Sequence, residues 1–281
     1  MQNTNFIRFR RILSKILPYF LICLFALVFI MPLIWMVGTS LKQQTEVFSN
    51  TSGLFPSNPQ WSNYKSVFQR MSFFTYLKNT AITSILPVLG ELLAAPMVAY
   101  SVSLVPWKGG KIIFPLVLFT MMVPSQVTQI PLFTTWSGIG LTNTFWPLIL
   151  PAFFGSGYYV FLLRQFMKGL PISLLEAARI DGAGEARILY QIVYPLCKPS
   201  LITVGLMTFM AHWNDLMAPL IYLFDGSKYT LSIALQRFLT EASQQWELLM
   251  AASTIFTLPI IIAFFFGQKY FIEGISTTGL K

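Results

Sequence analysis

Charge is scarce in this sequence. Asp, Glu, Lys and Arg make up 10% of its 281 residues, against about 25% in ordinary soluble domains. So few charges cannot wet a surface on every side, which excludes a soluble globular fold and leaves no room for a separate soluble domain. Cysteine is rarer still. Cys23 falls in an apolar run and Cys197 in a polar segment, so there is no disulfide framework. Histidine occurs once, at position 212, and no metal site is expected. No G-x-x-x-x-G-K-[ST] phosphate loop is present; GGK at Gly109–Lys111 lacks both the spacing and the following hydroxyl. Any nucleotide hydrolysis linked to this chain therefore belongs to a partner, and no cofactor is expected on the chain itself. Internal repeats and low-complexity tracts are also absent.

Apolar sequence fills the space that charge leaves. Hydrophobic residues make up 55% of the chain, 26 of them phenylalanine, and the mean hydropathy is +0.64. Six runs are long enough to cross a bilayer as helices: Leu17 to Ser40, Ala81 to Val105, Ile112 to Trp136, Phe145 to Leu163, Leu201 to Phe224 and Leu248 to Phe266. The expected fold is an all-α membrane protein, with residues 1–16 as an N-terminal segment and 17–281 as one transmembrane domain. The basic N-terminus followed by a long apolar run, with no small-residue cleavage site, reads as a retained signal anchor. With that terminus in the cytoplasm, 13 of the Lys and Arg residues fall inside and 6 outside. The positive-inside rule favours this orientation, with both termini cytoplasmic. Scattered through short loops, these cations form no basic face, which argues against nucleic-acid binding. The outer loop, Leu41 to Thr80, mixes turn formers with Phe, Trp and Tyr and reads as a small ordered cap.

One polar segment, SLLEAARIDGAGEARILYQIVYPLCKPSL from Ser173, stands apart. Ser173 and Glu176 have capping-box spacing, which predicts a helix beginning near Leu174 and running through Ile180. Gly182 and Gly184 then permit a sharp turn. Ile188, Leu189, Ile192 and Val193 recur at helical spacing, and Pro195 is expected to end the second helix at Tyr194. A helix, a glycine turn and a helix form a shaped element, suited to docking or to lying against the protein's own spans.

Glu176, Ala177, Ala178, Gly182, Ile192 and Pro195 resemble the EAA signature of the membrane subunits of binding-protein-dependent ABC importers. Tyr194 stands where that family usually has Leu. Leu54–Pro56 with Asn63 and Tyr64, GLTNT at Gly140 to Thr144, RQF before the loop, HWNDLMAPL from His212 to Leu220, and the tail FIEGISTTGLK also resemble the shorter, maltose-type (MalG-like) carbohydrate permeases. The resemblance implies a bacterial cytoplasmic-membrane permease that works with a second permease subunit, two ATPase subunits carrying ATP and Mg, and an extracytoplasmic binding protein for a carbohydrate. It also implies that Glu176, Ala177, Ala178, Asp181, Gly182, Ile192 and Pro195 form the ATPase-coupling element, with Glu176 paired to a basic residue of the ATPase.

Polar groups within spans are candidates for the pathway. Glu91 lies among Gly90, Ala94 and Ala95, and Gln126 and Gln129 sit beside Pro124 and Pro131 in an interrupted third span. His212 and Asp215, three apart, are expected on one helix face, with Trp213 and Asn214 between them. Indole and amide groups suit a sugar, although a buried polar network between helices is the plainer account of them. Asp225, Gly226, Ser227, Lys228 and Tyr229 occupy the outer loop from which such permeases reach a docked binding protein, or form an ordinary turn. Two other classes compete. An ion-coupled secondary transporter would use the membrane acids and the broken span. An intramembrane serine protease would pair Ser156 with His212, although no oxyanion hole is evident.

Overall fold

The computed structural model describes residues 2–49, 53–241 and 245–279, with side chains over 16–49, 53–240 and 245–270. The described residues are helical and contain no strand. Among the described residues, four helices are long and apolar enough to cross a membrane, or up to six if each of two bent pairs counts as one span.

The chain divides into two units. The first comprises residues 1–71 and 238–256. Its long helix α1 (Gln2–Ser40) carries an apolar stretch, Ile16–Ser40, with none of its most apolar window buried. Short helices α2 (Gln44–Val47) and α3 (Ser62–Arg70) follow. The last carbonyls of a helix lack internal donors. Asn63 Nδ2 donates to the Ser40 and Lys42 carbonyls, 2.9 Å each, and the Tyr64 hydroxyl meets Ser40 Oγ at 2.7 Å. Leu54 approaches Gly38 so closely that a Cβ there would lie 2.1 Å from its carbonyl oxygen. The Leu54, Asn63 and Tyr64 positions thus tie the segment after α1 to the end of that helix.

The second unit comprises residues 72–237 and 257–281. Its axis is α4 (Phe73–Ser103), which buries Gly90, Glu91, Ala95, Pro96, Ala99 and Tyr100. Gly90 lies under the Phe153 ring, and Gly205 lies against Val88 and Leu92. The third expected span is two helices, α5 (Gly110–Met122) and α6 (Ser125–Gly138), bent by 98°. Pro124, extended at ψ 131°, sets the break. The fourth begins as α7 (Trp146–Ile149), tightens to a 3₁₀ turn (Leu150–Phe154), passes Gly155 at φ +77°, and continues as α8 (Gly157–Met167). Gly155 packs against α4, where a Cβ would lie 3.2 Å from the Ala95 nitrogen.

The polar segment forms α9 (Ile172–Ile180), α10 (Glu185–Ile188), a π turn (Leu189–Val193) and α11 (Tyr194–Leu196). Helix α12 (Lys198–Trp213) then departs at 83°. The expected fifth run does not continue to Phe224. It breaks after Trp213, resumes as α13 (Met217–Tyr222), and is followed by α14 (Leu231–Glu241) and α15 (Trp246–Gly279).

Candidate functional site

The loop from α9 to α11 has two faces. Leu175, Ile188, Leu189, Val193 and Cys197 are buried in one core with Ala95, Ala99, Tyr100, Val160, Leu163 and Val204 of α4, α8 and α12. Removing a large aliphatic side chain from water contributes about 1.5–3 kcal/mol, so this underside is firmly held. The other face is open. Glu176, Ala177, Asp181 and Gly182 are exposed, and Ile180 is 86% exposed. Between the helices runs a groove of about 310 Å³ lined by Ala178, Asp181, Arg187, Ile188, Gln191 and Ile192.

Local chemistry explains the turn. The Ala183 N–H donates to the Ala178 carbonyl (2.9 Å) and the Gly182 N–H to Arg179 (3.0 Å), a Schellman ending with Gly182 at φ +79°. Gly184 is extended and caps α10, at φ −70° and ψ 157°. The capping box at Ser173 does not form. Helix α9 begins at Ile172, preceded by extended Pro171, and has no side-chain cap. Pro171, which reaches its preferred φ of −63° without strain, sets the helix start before Ser173 is reached. Pro195 does not end its helix at Tyr194 either, because Tyr194 is α-helical at φ −58°, ψ −49°. The π turn before it, bonded i to i+5, lets the chain accommodate a residue without an N–H.

Three polar contacts join this loop to α4. Arg179 Nε donates to Glu185 Oε1 at 2.8 Å, and its Nη2 reaches the Leu104 carbonyl at 3.1 Å. The Tyr100 hydroxyl donates to Glu185 Oε2. The bond from Arg179 holds the Glu185 carboxyl below the usual carboxylate range, despite partial burial that opposes it, and the same bond raises Arg179. Finally, the Tyr194 hydroxyl donates to the Leu92 carbonyl at 2.8 Å. That carbonyl's helical donor would be the nitrogen of Pro96, which bears no hydrogen. Tyrosine at this position thus satisfies a carbonyl that leucine would leave bare.

The other candidates lie on separate elements. Glu91 is buried on α4, and its carboxylate accepts at 2.7 Å from the N–H of Ser156, the residue that precedes α8 and offers it no side-chain cap. Gln126 is exposed and Gln129 half-buried in the first turns of α6. His212 is half-buried near the end of α12, Trp213 is buried beside Phe209, and Asn214 is exposed with its amide on the Met210 carbonyl. Asp215 does not share a helix with His212. It lies in the break, where its carboxylate accepts from the Ala218 N–H at 3.2 Å and starts α13. A short polar side chain before a helix satisfies an orphan backbone donor, and that local bond wins over helical continuation.

Two asparagines build the Asp225–Tyr229 loop. Asn143, at φ +57°, accepts the Phe224 and Asp225 N–H groups at 3.0 Å each, and its own carbonyl accepts from Lys228 Nζ at 2.7 Å. Asn79 of α4 donates to the Ser227 and Tyr229 carbonyls at 2.9 Å each. The Ser227 N–H bonds the exposed Asp225 carboxylate and holds it below its usual range. Only the GLTNT resemblance pointed to Asn143.

These features define a polytopic helical membrane protein with a shaped, half-embedded loop between two spans. Over residues 88–277 the sequence matches the family described as the binding-protein-dependent transport system inner membrane component. It is 34% identical over 259 residues to the arabinooligosaccharides transport system permease protein AraQ of Halalkalibacterium halodurans, covering 91% of this chain and 92% of that one. It is also 31% identical to the probable starch degradation products transport system permease protein AmyC of Thermoanaerobacterium thermosulfurigenes, covering 95% and 97%. A crystal structure of a bacterial ABC transporter that imports the acidic polysaccharide alginate contains a chain with the same fold. Its TM-score is 0.81 at 25% identity, with 92% of this chain and 96% of that one covered.

The chain therefore belongs to the binding-protein-dependent ABC importer permeases. It is a multi-pass inner-membrane, non-catalytic subunit of an importer that works with a binding protein and an ATPase. That membership replaces the secondary-transporter and protease readings.

Proposed function

We propose that this permease carries a carbohydrate, in oligosaccharide form, through a pathway shared with a second, non-identical permease subunit. Both termini are cytoplasmic in this reading, and the α9–α11 loop seats in the cleft of a cytoplasmic ATPase, with Glu176 at its exposed edge and Asp181 and Ile192 in the groove. One observation carries the coupling role: a single loop has an open outer groove and an underside in the same core as α4, α8 and α12. A push on the outer face moves the spans because close-packed interiors transmit displacement. ATP then shifts the transporter between inward-open and outward-open states only through its greater affinity for the closed ATPase.

The cargo class is supported by relatives whose names cover arabinooligosaccharides and starch degradation products. Glu91, Gln126, Gln129 and the His212–Asp215 stretch border the pathway, and Asp225–Tyr229 meets the binding protein. Cargo is tested by deleting the chain from its own cell and measuring uptake of labelled arabino-, galacto- and malto-oligosaccharides. Uptake of one class should be lost and should return with the wild-type chain. Unchanged uptake of all three contradicts it.

A further inference from the structure

The segment PWKGGK, Pro106 to Lys111, takes no part in the coupling loop and lacks a nucleotide-binding pattern. In the structure it builds one wall of a cavity of about 400 Å³. The cavity lies where three span ends meet: the end of α4, the first turn of α5 and the last turn of α8. The Leu104 carbonyl, bonded to Arg179 of the coupling loop, marks this as the loop end of the bundle. Span ends of this kind lie at the level of lipid headgroups.

The lining is specific. Trp107 is pinned by its Nε1, which donates to the Ser101 carbonyl at 2.8 Å. Its ring folds so closely over Gly109 that a Cβ there would lie 2.0 Å from the indole, so any side chain at that position would push the ring aside. The Arg164 guanidinium lies 3.6 Å from the centre of the Phe114 ring, with Nε 3.5 Å from the Val102 carbonyl. Lys111 supplies a second cation, and α5 opens on the cavity with Gly110 and Lys111 in its first turn. Two cations and a helix N-terminus all favour an anion. None of the described lining residues is acidic, and Val105, Phe114 and Pro115 complete an apolar wall.

We propose that this cavity binds the phosphate headgroup of an anionic phospholipid. A basic pocket between spans beside an interfacial tryptophan matches a headgroup, and the apolar wall receives the start of an acyl chain. Free phosphate shares the charge complementarity but gains nothing from that wall.

The test uses the assembled importer in nanodiscs of mixed phosphatidylglycerol and phosphatidylcholine, with retained lipids measured by native mass spectrometry. Wild type retains phosphatidylglycerol preferentially. Lys111→Gln and Arg164→Gln each weaken retention by roughly fivefold, the effect of one basic residue near a headgroup. Lys108→Gln, outside the lining, leaves retention unchanged, and excess inorganic phosphate does not displace the lipid. Arg164 also packs on Phe114, so Lys111→Gln, an exposed position, is the deciding variant. Unchanged phosphatidylglycerol retention in Lys111→Gln overturns the proposal. So does displacement by inorganic phosphate, or retention by the isolated chain but not by the importer, which would mean that a partner subunit fills the cavity.

Discussion

The Tyr194 hydroxyl, 102 residues from Leu92 in sequence, donates at 2.8 Å to the one α4 carbonyl that Pro96 deprives of its helical donor. Replacing Tyr194 with Phe leaves that carbonyl bare and is expected to cost about 1 kcal/mol. In a Pro96→Ala background the missing N–H returns, and the same Tyr194→Phe change should cost measurably less. Thermal unfolding of the four proteins of this double-mutant cycle checks the coupling. Equal costs in both backgrounds would show that the hydroxyl does not serve Leu92.

Gly182 is constrained by its backbone and not by space, since a Cβ there would have nothing within 4 Å while φ is +79°. Gly182→Val is therefore expected to distort the turn at a cost of about 1–3 kcal/mol, whereas Gly182→Asn is milder because Asn enters the left-handed region more readily. In membranes where both variants insert, ATP hydrolysis and sugar uptake should separate in the valine protein and stay coupled in the asparagine one. Equal coupling in both would remove the turn from the mechanism.

The Arg179–Glu185 pair is partly exposed, with side chains 26% and 43% accessible, so solvent limits its contribution to less than about 1 kcal/mol. Because the folded-state pKa of Glu185 is lowered, its contribution is present above the ordinary carboxylate value and lost as pH falls through the depressed folded value. Glu185→Gln should thus lower coupling efficiency a few-fold at neutral pH, and the gap to wild type should close under acid conditions. A pH profile of uptake per ATP checks the sign, and a gap that widens on acidification would contradict it.

Asn143 separates backbone from side-chain roles in the Asp225–Tyr229 loop. Asn143→Gly keeps the φ of +57° but loses the acceptor for two N–H groups of the Phe224–Asp225 corner. Stimulation of ATPase activity by the loaded binding protein is expected to fall several-fold while basal activity holds. Asn143→Asp, which keeps the acceptor oxygen, should behave as wild type; if glycine does so too, the loop is not the binding-protein contact.

The features legible in the sequence were those written locally. Gly182 and the helical spacing of Ile188, Leu189, Ile192 and Val193 announced the helix-turn-helix, and Pro124 announced the break between α5 and α6. Competing local signals misled where two were adjacent. Ser173 offered a cap that Pro171 pre-empted, and Asp215 read as the helical neighbour of His212 while it starts the next helix. Tertiary partners were invisible. The unpaired Leu92 carbonyl could be inferred from Pro96, but not that Tyr194 would reach it, and nothing near Asn143 or Asn79 named the loop they hold.

Docking of the ATPase on the exposed face of the α9–α11 loop can be measured by recovering the tagged chain from its native membranes in mild detergent. Wild type should bring an ATPase with it, and the eluate should hydrolyse ATP. Glu176→Lys, a change at an exposed position with little structural cost, should reduce ATPase recovery several-fold. Recovery of the wild-type chain alone, without ATPase activity and under conditions in which other membrane complexes survive, would contradict that docking.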